Sequence, residues 1–168
     1  MAKFQFKGLE TYAEYLQRIG ANSKEICGAG VYAMAEVVAD KIRANLDALP
    51  TINEAEAVNT FRKKQKASLT SAQKKGLQAS LGISKIENDN GYWNVKIGFD
   101  GYNKVKTQKY PNGQPNAMIA RATESGSSVR EKMPFVRPAV NASQKRAIEA
   151  AKDKVDQKII AIDEKKEG

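Results

Sequence analysis

The residues able to do chemistry in this chain are few, and their types narrow what chemistry is open. The 168 residues include no histidine and one cysteine, Cys27. Lack of histidine removes Ser-His-Asp and Cys-His nucleophile systems, the zinc-protease helix and the commonest general base together. A lone cysteine admits neither an internal disulfide nor a cysteine-based metal cluster, and Cys27 reads as a small apolar core residue on a helix. The sequence contains no GxxxxGK[ST] phosphate loop, no GxGxxG fingerprint and no calcium-loop spacing. Asp100 and Glu124 can be imagined as a carboxylate pair, but a turn aspartate and a helix-end glutamate are their ordinary reading. A protein that is not an enzyme and needs no cofactor is expected.

Charge and proline carry the remaining signals. The net charge of +9 is uneven. Residues 1–50 hold six basic and six acidic groups, whereas residues 51–85 hold seven basic and two acidic. The excess centres on "FRKKQK", with Arg62, Lys63, Lys64 and Lys66, and continues at Lys74 and Lys75. Such a run either contacts phosphates or an acidic partner, or forms a solvated face; it lacks the interleaved aromatics of a base-stacking surface. In "KMPFVRPAVNAS" (132–143), Phe135 and Val136 stand between Pro134 and Pro138, with Arg137 directly before the second proline. Each proline fixes its own φ and biases the preceding residue toward extended geometry, so Met133 to Arg137 are expected to run as a stiff arm, with a helix from Pro138.

The elements that must position these residues follow from periodicity. Leu9, Tyr12, Leu16 and Ile19 form one stripe of a first helix that Gly20 can end. Asn22 and Glu25 read as a capping box for a second helix, whose apolar face runs from Ile26 through Val38, Ile42 and Leu46 to Leu49. Pro50 stops it, and Thr51 and Glu54 offer a further box for a short helix carrying Ala55, Val58 and Phe61 into the basic run. From Leu81 the period changes. Ile83 and Ile86 lie in a strand, "ENDNG" is a turn, and Trp93, Val95, Ile97 and Phe99 alternate on one face of the returning strand. "YNKVKTQKY" reads as a third, edge strand guarded by lysines. "NAMIARATESG" is a short helix ended by Gly126, followed by a polar loop, and a long last helix carries Val140, Ile148, Ala151, Val155, Ile159 and Ile162, with "DEKKEG" fraying beyond. The expected architecture is a single α+β domain, 1–168, with a small antiparallel sheet packed with N-terminal helices and a long C-terminal helix. Along it lie a helical pair (1–50), a basic helical or loop segment (51–80), the sheet (81–110), and the helix, loop, arm and last helix (115–164). No apolar stretch approaches the roughly 20 residues of a membrane-spanning helix, and no secretory signal is evident, so a soluble protein working in a cytoplasm is expected.

This order of pieces resembles the tail-component family of long-tailed double-stranded DNA phages, the head-tail joining or tail-completion proteins. The likeness spans roughly residues 5–160 through "GLQASLGISKI", "WNVKIGFDGYN", "IARATESGSS" and "MPFVRPAV". Its most specific part pairs a Glu-x-Gly-[Ser/Thr] segment with a Pro-Phe-x-Arg-Pro-Ala segment a few residues later. Gly76, Leu77 and Ser80 match the family's small-residue approach to its sheet; Glu124, Gly126 and Ser127 match its turn; Pro134, Phe135, Arg137, Pro138 and Ala139 match its arm. The sequence departs from the pattern at Ser125, where an aromatic or apolar residue is common, and at "SAQKKG", which replaces a Pro-x-x-Thr-Gly segment. The resemblance implies a structural virion protein that joins or completes the tail at the head-tail neck as a ring homo-oligomer. Its partners would be other copies, neck and tail proteins and nonspecifically DNA, in the host cytoplasm during assembly and then in the virion, with no membrane involved. In such a ring Phe135 would anchor in a neighbouring subunit and Arg137 would direct the contact. The equal alternative is that Phe135 fills its own core and Arg137 pairs internally with a group such as Glu124. A basic nucleic-acid-binding protein using residues 61–75 is the competing function.

Overall fold

The computed structural model describes residues 9–106 and 109–164. Six helices are joined to a small antiparallel β region: α1 (Leu9–Ala21), α2 (Ser23–Asp47), α3 (Glu54–Arg62), α4 (Ser71–Ser80), β1 (Leu81–Ile83), β2 (Glu87–Asp89), β3 (Tyr92–Asn94), β4 (Ile97–Phe99), α5 (Asn116–Ser125) and α6 (Val136–Glu164). The fold is α+β, as expected, and its long C-terminal helix is its largest element.

The frame is an antiparallel pair of long helices. Asn45 near the end of α2 reaches Phe135 at the start of α6, while Glu25 near the start of α2 pairs with Lys158 near the end of α6. The contact uses small residues. Ala139, Ser143 and Ala147 are the buried positions of α6, and a Cβ on Gly30 of α2 would stand 2.7 Å from Val155 Cγ2. The expected stripe is therefore corrected at Val140 and Ile148, which are exposed. Close helix approach selects alanine, serine and glycine at the seam, and displaces the larger side chains to its flanks. Nor does α6 lie on the sheet as expected: it packs against α2.

The β region is one hairpin in two stretches. Leu81 opposes Phe99 and Ile83 opposes Ile97 in the first; Glu87 opposes Asn94 and Asp89 opposes Tyr92 in the second. Asn90 (φ 53°) and Gly91 (φ 92°) turn the chain between β2 and β3, the left-handed pair that an Asn-Gly hairpin loop requires. Trp93, Val95, Ile97 and Phe99 are half-buried, as the alternation predicts. The expected third strand is absent over 102–106, where only Tyr102 bridges to Pro115; Thr107 and Gln108 lie outside the described residues, as does the expected frayed end at 165–168.

The core lies where α2, α4, β1, α5 and α6 meet: Ile42, Leu46, Leu69, Leu77, Leu81, Ile119, Ala120, Phe135 and Ala139. Caps differ from expectation. Asn22 does not cap α2: its backbone stays near-helical (φ −100°, ψ 12°), and its Nδ2 donates back to Arg18 O. Asn53, rather than Thr51, caps α3 by accepting from Glu56 N, because Glu54 instead accepts from Ala72 N at the start of α4. Helix α4 carries a full capping box of its own, Thr70 and Gln73, within the segment expected only as basic helix or loop. Cys27 is half-buried on α2.

Candidate functional site

The two segments that carry the family likeness meet at one carboxylate. Helix α5 ends at Gly126, whose φ of 75° suits glycine, and the chain turns back so that Met133 N donates to Thr123 O at 2.8 Å. Ser127 shapes the return: its Oγ accepts from Val129 N and Arg130 N. Glu124, in the last turn of α5, then faces the start of α6. Its Oε2 accepts from Phe135 N at 2.7 Å and Val136 N at 2.8 Å, and its Oε1 from Arg137 N at 3.0 Å.

A helix leaves its first four N–H groups without intrahelical partners. With α6 beginning at Val136, those four belong to Phe135, Val136, Arg137 and Pro138. Glu124 takes three, and proline has no N–H to satisfy. The account is complete, and a negative group sits at the positive end of the helix dipole. Burial pushes the Glu124 carboxyl pKa up, but hydrogen bonds from the N–H groups of Val136, Phe135 and Arg137, with the Arg137 charge, outweigh it and hold the group below the ordinary glutamate value. The same bonds explain why the helix starts at Val136 and not at Pro138 as expected. Residue 137 is drawn into helical geometry despite preceding a proline, because its N–H has an ionised acceptor waiting.

Phe135 belongs to the chain's own core. It is fully buried, meets Phe99 edge-on at 5.8 Å between ring centroids, and its carbonyl accepts from Asn45 Nδ2. The anchoring role imagined for it in a neighbouring subunit is corrected accordingly: β4 and α2 of the same chain build its pocket. Arg137 leaves its side chain about three-quarters exposed, with Nε 3.9 Å from Glu124 Oε1. Its guanidinium is the part of the arm that faces outward. Gly76 also has a visible reason: a Cβ there would stand 2.2 Å from Nδ2 of buried Asn103, which donates to the Ala72 and Gln73 carbonyls of α4.

Of the two imagined catalytic carboxylates, Glu124 spends both oxygens on the helix start, and exposed Asp100 accepts from Gly101 N. Among the described residues no group of three or more His, Cys, Asp or Glu side chains could hold a metal ion, and no helix is long and apolar enough to cross a membrane.

The basic cluster divides in two. Arg62, Lys63, Lys64 and Lys66 are exposed where α3 ends, beside the exposed ring of Phe61. Lys74 instead donates to the carbonyls of Asp47 at 2.7 Å and Leu49 at 2.8 Å, satisfying the C-terminal end of α2, and Lys75 alone of that pair faces solvent freely. Sequence reasoning missed Arg130. Its guanidinium donates to Ser68 O and Gln73 Oε1 and ties the 126–132 loop to α4, and burial lowers its pKa.

Two surfaces are apolar without a partner among the described residues. On α1, Leu9, Tyr12 and Leu16 are each about half or more exposed, because the helix rests on the rest of the chain through Tyr15, Arg18 and Ile19 instead. Between α4 and the turn after β4 lies a cleft of about 800 Å³, walled by Ala72, Gly76, Ala79 and Leu81 and rimmed by Tyr102, Lys75 and Lys104. Comparison of the chain with protein-family models, with curated proteins and with solved structures finds no match.

Proposed function

We propose that this chain is a structural, non-enzymatic subunit that joins or completes the tail of a long-tailed double-stranded DNA phage at the head-tail neck, assembling as a ring. The observation that carries the reading is the ordered stripe Leu9, Tyr12 and Leu16, held on a formed helix yet turned away from the core. Three large apolar side chains exposed on one helix support a chain that is completed by another protein. The motif likeness supplies the class of assembly. Its two halves are bonded to each other through Glu124, which supports reading them as one unit. Negative-stain imaging of the purified protein with phage tail tubes tests the proposal. Annular particles and tubes capped at one end are expected; uncapped tubes, with no rescue of tail joining in an extract lacking the protein, would sink it.

A second reading has one observation in its favour: Arg62, Lys63, Lys64 and Lys66 form an exposed cationic group at the end of α3. A nucleic-acid-binding protein would show duplex affinity that falls steeply with salt, with a slope set by the number of phosphates neutralised. On a neck ring the same group would face the DNA passage.

A further inference from the structure

We infer that the end of α3 is a site for single-stranded nucleic acid, with the Phe61 ring as platform for an unstacked base and Arg62, Lys63, Lys64 and Lys66 as phosphate contacts. The site rests on the second, nucleic-acid-binding reading and names the form of nucleic acid and the residues that hold it. The cations are unspent. All four are exposed, and none has an acidic partner among the described residues. Glu131, on the segment bonded alongside Ala67, is engaged with Ser68 Oγ, and Glu54 of the same helix with Ala72 N. Four neighbouring cations without counter-charges repel one another, and a polyanion relieves that repulsion.

They are also held on a closed turn. Lys63 N donates to Asn59 O, Lys64 N to Phe61 O and Gln65 N to Thr60 O, which finishes the carbonyls of α3. Lys64 takes the left-handed position of that turn, φ 56°, where glycine is the favoured residue. The negative end of the helix dipole welcomes Arg62 in the last turn, but gives no reason for a lysine in glycine's place beyond it. A requirement for charge at that point does. Phe61 then selects the kind of polyanion. Its ring is 62% exposed among these cations, Val58 one turn earlier is 50% exposed, and no aromatic or cationic partner covers the ring among the described residues. An acidic peptide matches the charge alone, whereas a base also offers the ring a flat π-face. In a duplex those faces are taken by neighbouring bases, and a step must be unstacked before a side chain can use one. In a single strand they are free.

The test is fluorescence anisotropy of the full-length chain with labelled oligothymidylate and with a duplex of the same length, over a range of salt concentrations. Oligothymidylate is expected to bind more tightly than the duplex, with log affinity falling linearly in log salt. Phe61→Ala and Phe61→Leu should each lose about tenfold in affinity at an unchanged salt slope, while Phe61→Tyr keeps it. Lys63→Gln should instead reduce the slope by about 0.7, the share of one phosphate on a single strand. Lys64→Gly should raise the melting midpoint, because it relieves a left-handed lysine, and yet weaken binding; a turn that serves stability alone would keep its affinity. These positions are exposed, so melts of the other variants should match the wild type. Equal binding of duplex and single strand, with Phe61→Ala without effect, would overturn the inference and leave the nucleic-acid-binding reading standing. Binding to neither would remove both and leave tail joining to its own test. Displacement of oligothymidylate by polyglutamate at equal charge would assign the site to acidic peptides and overturn it as well.

Discussion

Glu124→Ala leaves three N–H groups at the start of α6 without an acceptor. The Phe135 N–H is buried, and an unsatisfied buried donor costs about 1–3 kcal/mol. Val136 and Arg137 are partly reached by water, so each loses a charge-assisted bond but regains solvation, a net loss of about 1 kcal/mol apiece. The sum is about 3–5 kcal/mol, which at about 2–4 °C per kcal/mol for a chain of this size lowers the melting midpoint by about 6–20 °C. Glu124→Gln keeps the shape and removes the charge, so it should fall between wild type and alanine. The pH dependence gives an independent check. Because the folded carboxyl pKa lies below its unfolded value, the stabilisation is fully present above the unfolded glutamate pKa of about 4.3 and is lost as pH falls through the lower folded value. The gap between wild type and Glu124→Gln should be constant from neutral pH to mild acid, and should close below the unfolded value. Circular dichroism melts across that range measure the gap, and hydrogen exchange reports on the amides of Phe135, Val136 and Arg137. A Glu124→Ala midpoint within 2 °C of wild type, or a gap indifferent to acid, would falsify the capping argument.

Phe135→Ala empties a fully buried site and should cost about 3–5 kcal/mol, read as loss of midpoint in the separate chain before any assembly is assayed. Lys74→Ala should cost about 1 kcal/mol because two α2 carbonyls lose their donor, while Lys63→Ala should stay within about 0.5 kcal/mol; equal effects in urea titration would erase the distinction drawn between them. Thr123 Oγ1 is fully buried with no partner among the described residues, so Thr123→Val should raise stability by about 1 kcal/mol, measured as a higher denaturant midpoint at unchanged slope. Gly76→Ala should destabilise, because its Cβ drives into Asn103 Nδ2, and Asn103→Ala in the same chain should recover part of the loss.

What the sequence disclosed, and what it hid, divides along a physical line. Periodicity depends on the chain alone, so the helices and the Asn-Gly hairpin were legible from spacing. An apolar stripe, however, looks the same whether its own core or another molecule covers it. Leu9, Tyr12 and Leu16 of the expected stripe lie outside, whereas Phe135, which the sequence left equally open to an interface or to its own core, lies inside. The first turns of the α6 seam differ from the expected stripe for a related reason: Ala139, Ser143 and Ala147 matter through the approach they permit, and hydrophobicity does not record that. Helix α4 was legible and missed, since Thr70 and Gln73 spell a capping box amid lysines that read as charge. The roles of Lys74 and Arg130 had no local signal, because their acceptors are the distant carbonyls of Asp47, Leu49 and Ser68.

The bonds between Glu124 and the start of α6 make the two segments one structural device. A glutamate followed by Gly126, and a Pro-Phe-x-Arg-Pro segment eight residues beyond it, satisfy one requirement: a helix start whose preceding residue, Phe135, is buried and has no side chain able to cap it. Pro138 removes the fourth donor, Gly126 turns the chain, and the carboxylate takes the other three. Each of the two segments therefore depends on the other for stability, whatever the protein does. Function must then reside in surfaces that stability leaves free to vary. On this chain those include the α1 stripe, the Arg137 guanidinium and the cations of Arg62 to Lys66, all exposed. Substitutions there should separate assembly from folding, and substitutions at Glu124 or Phe135 should not.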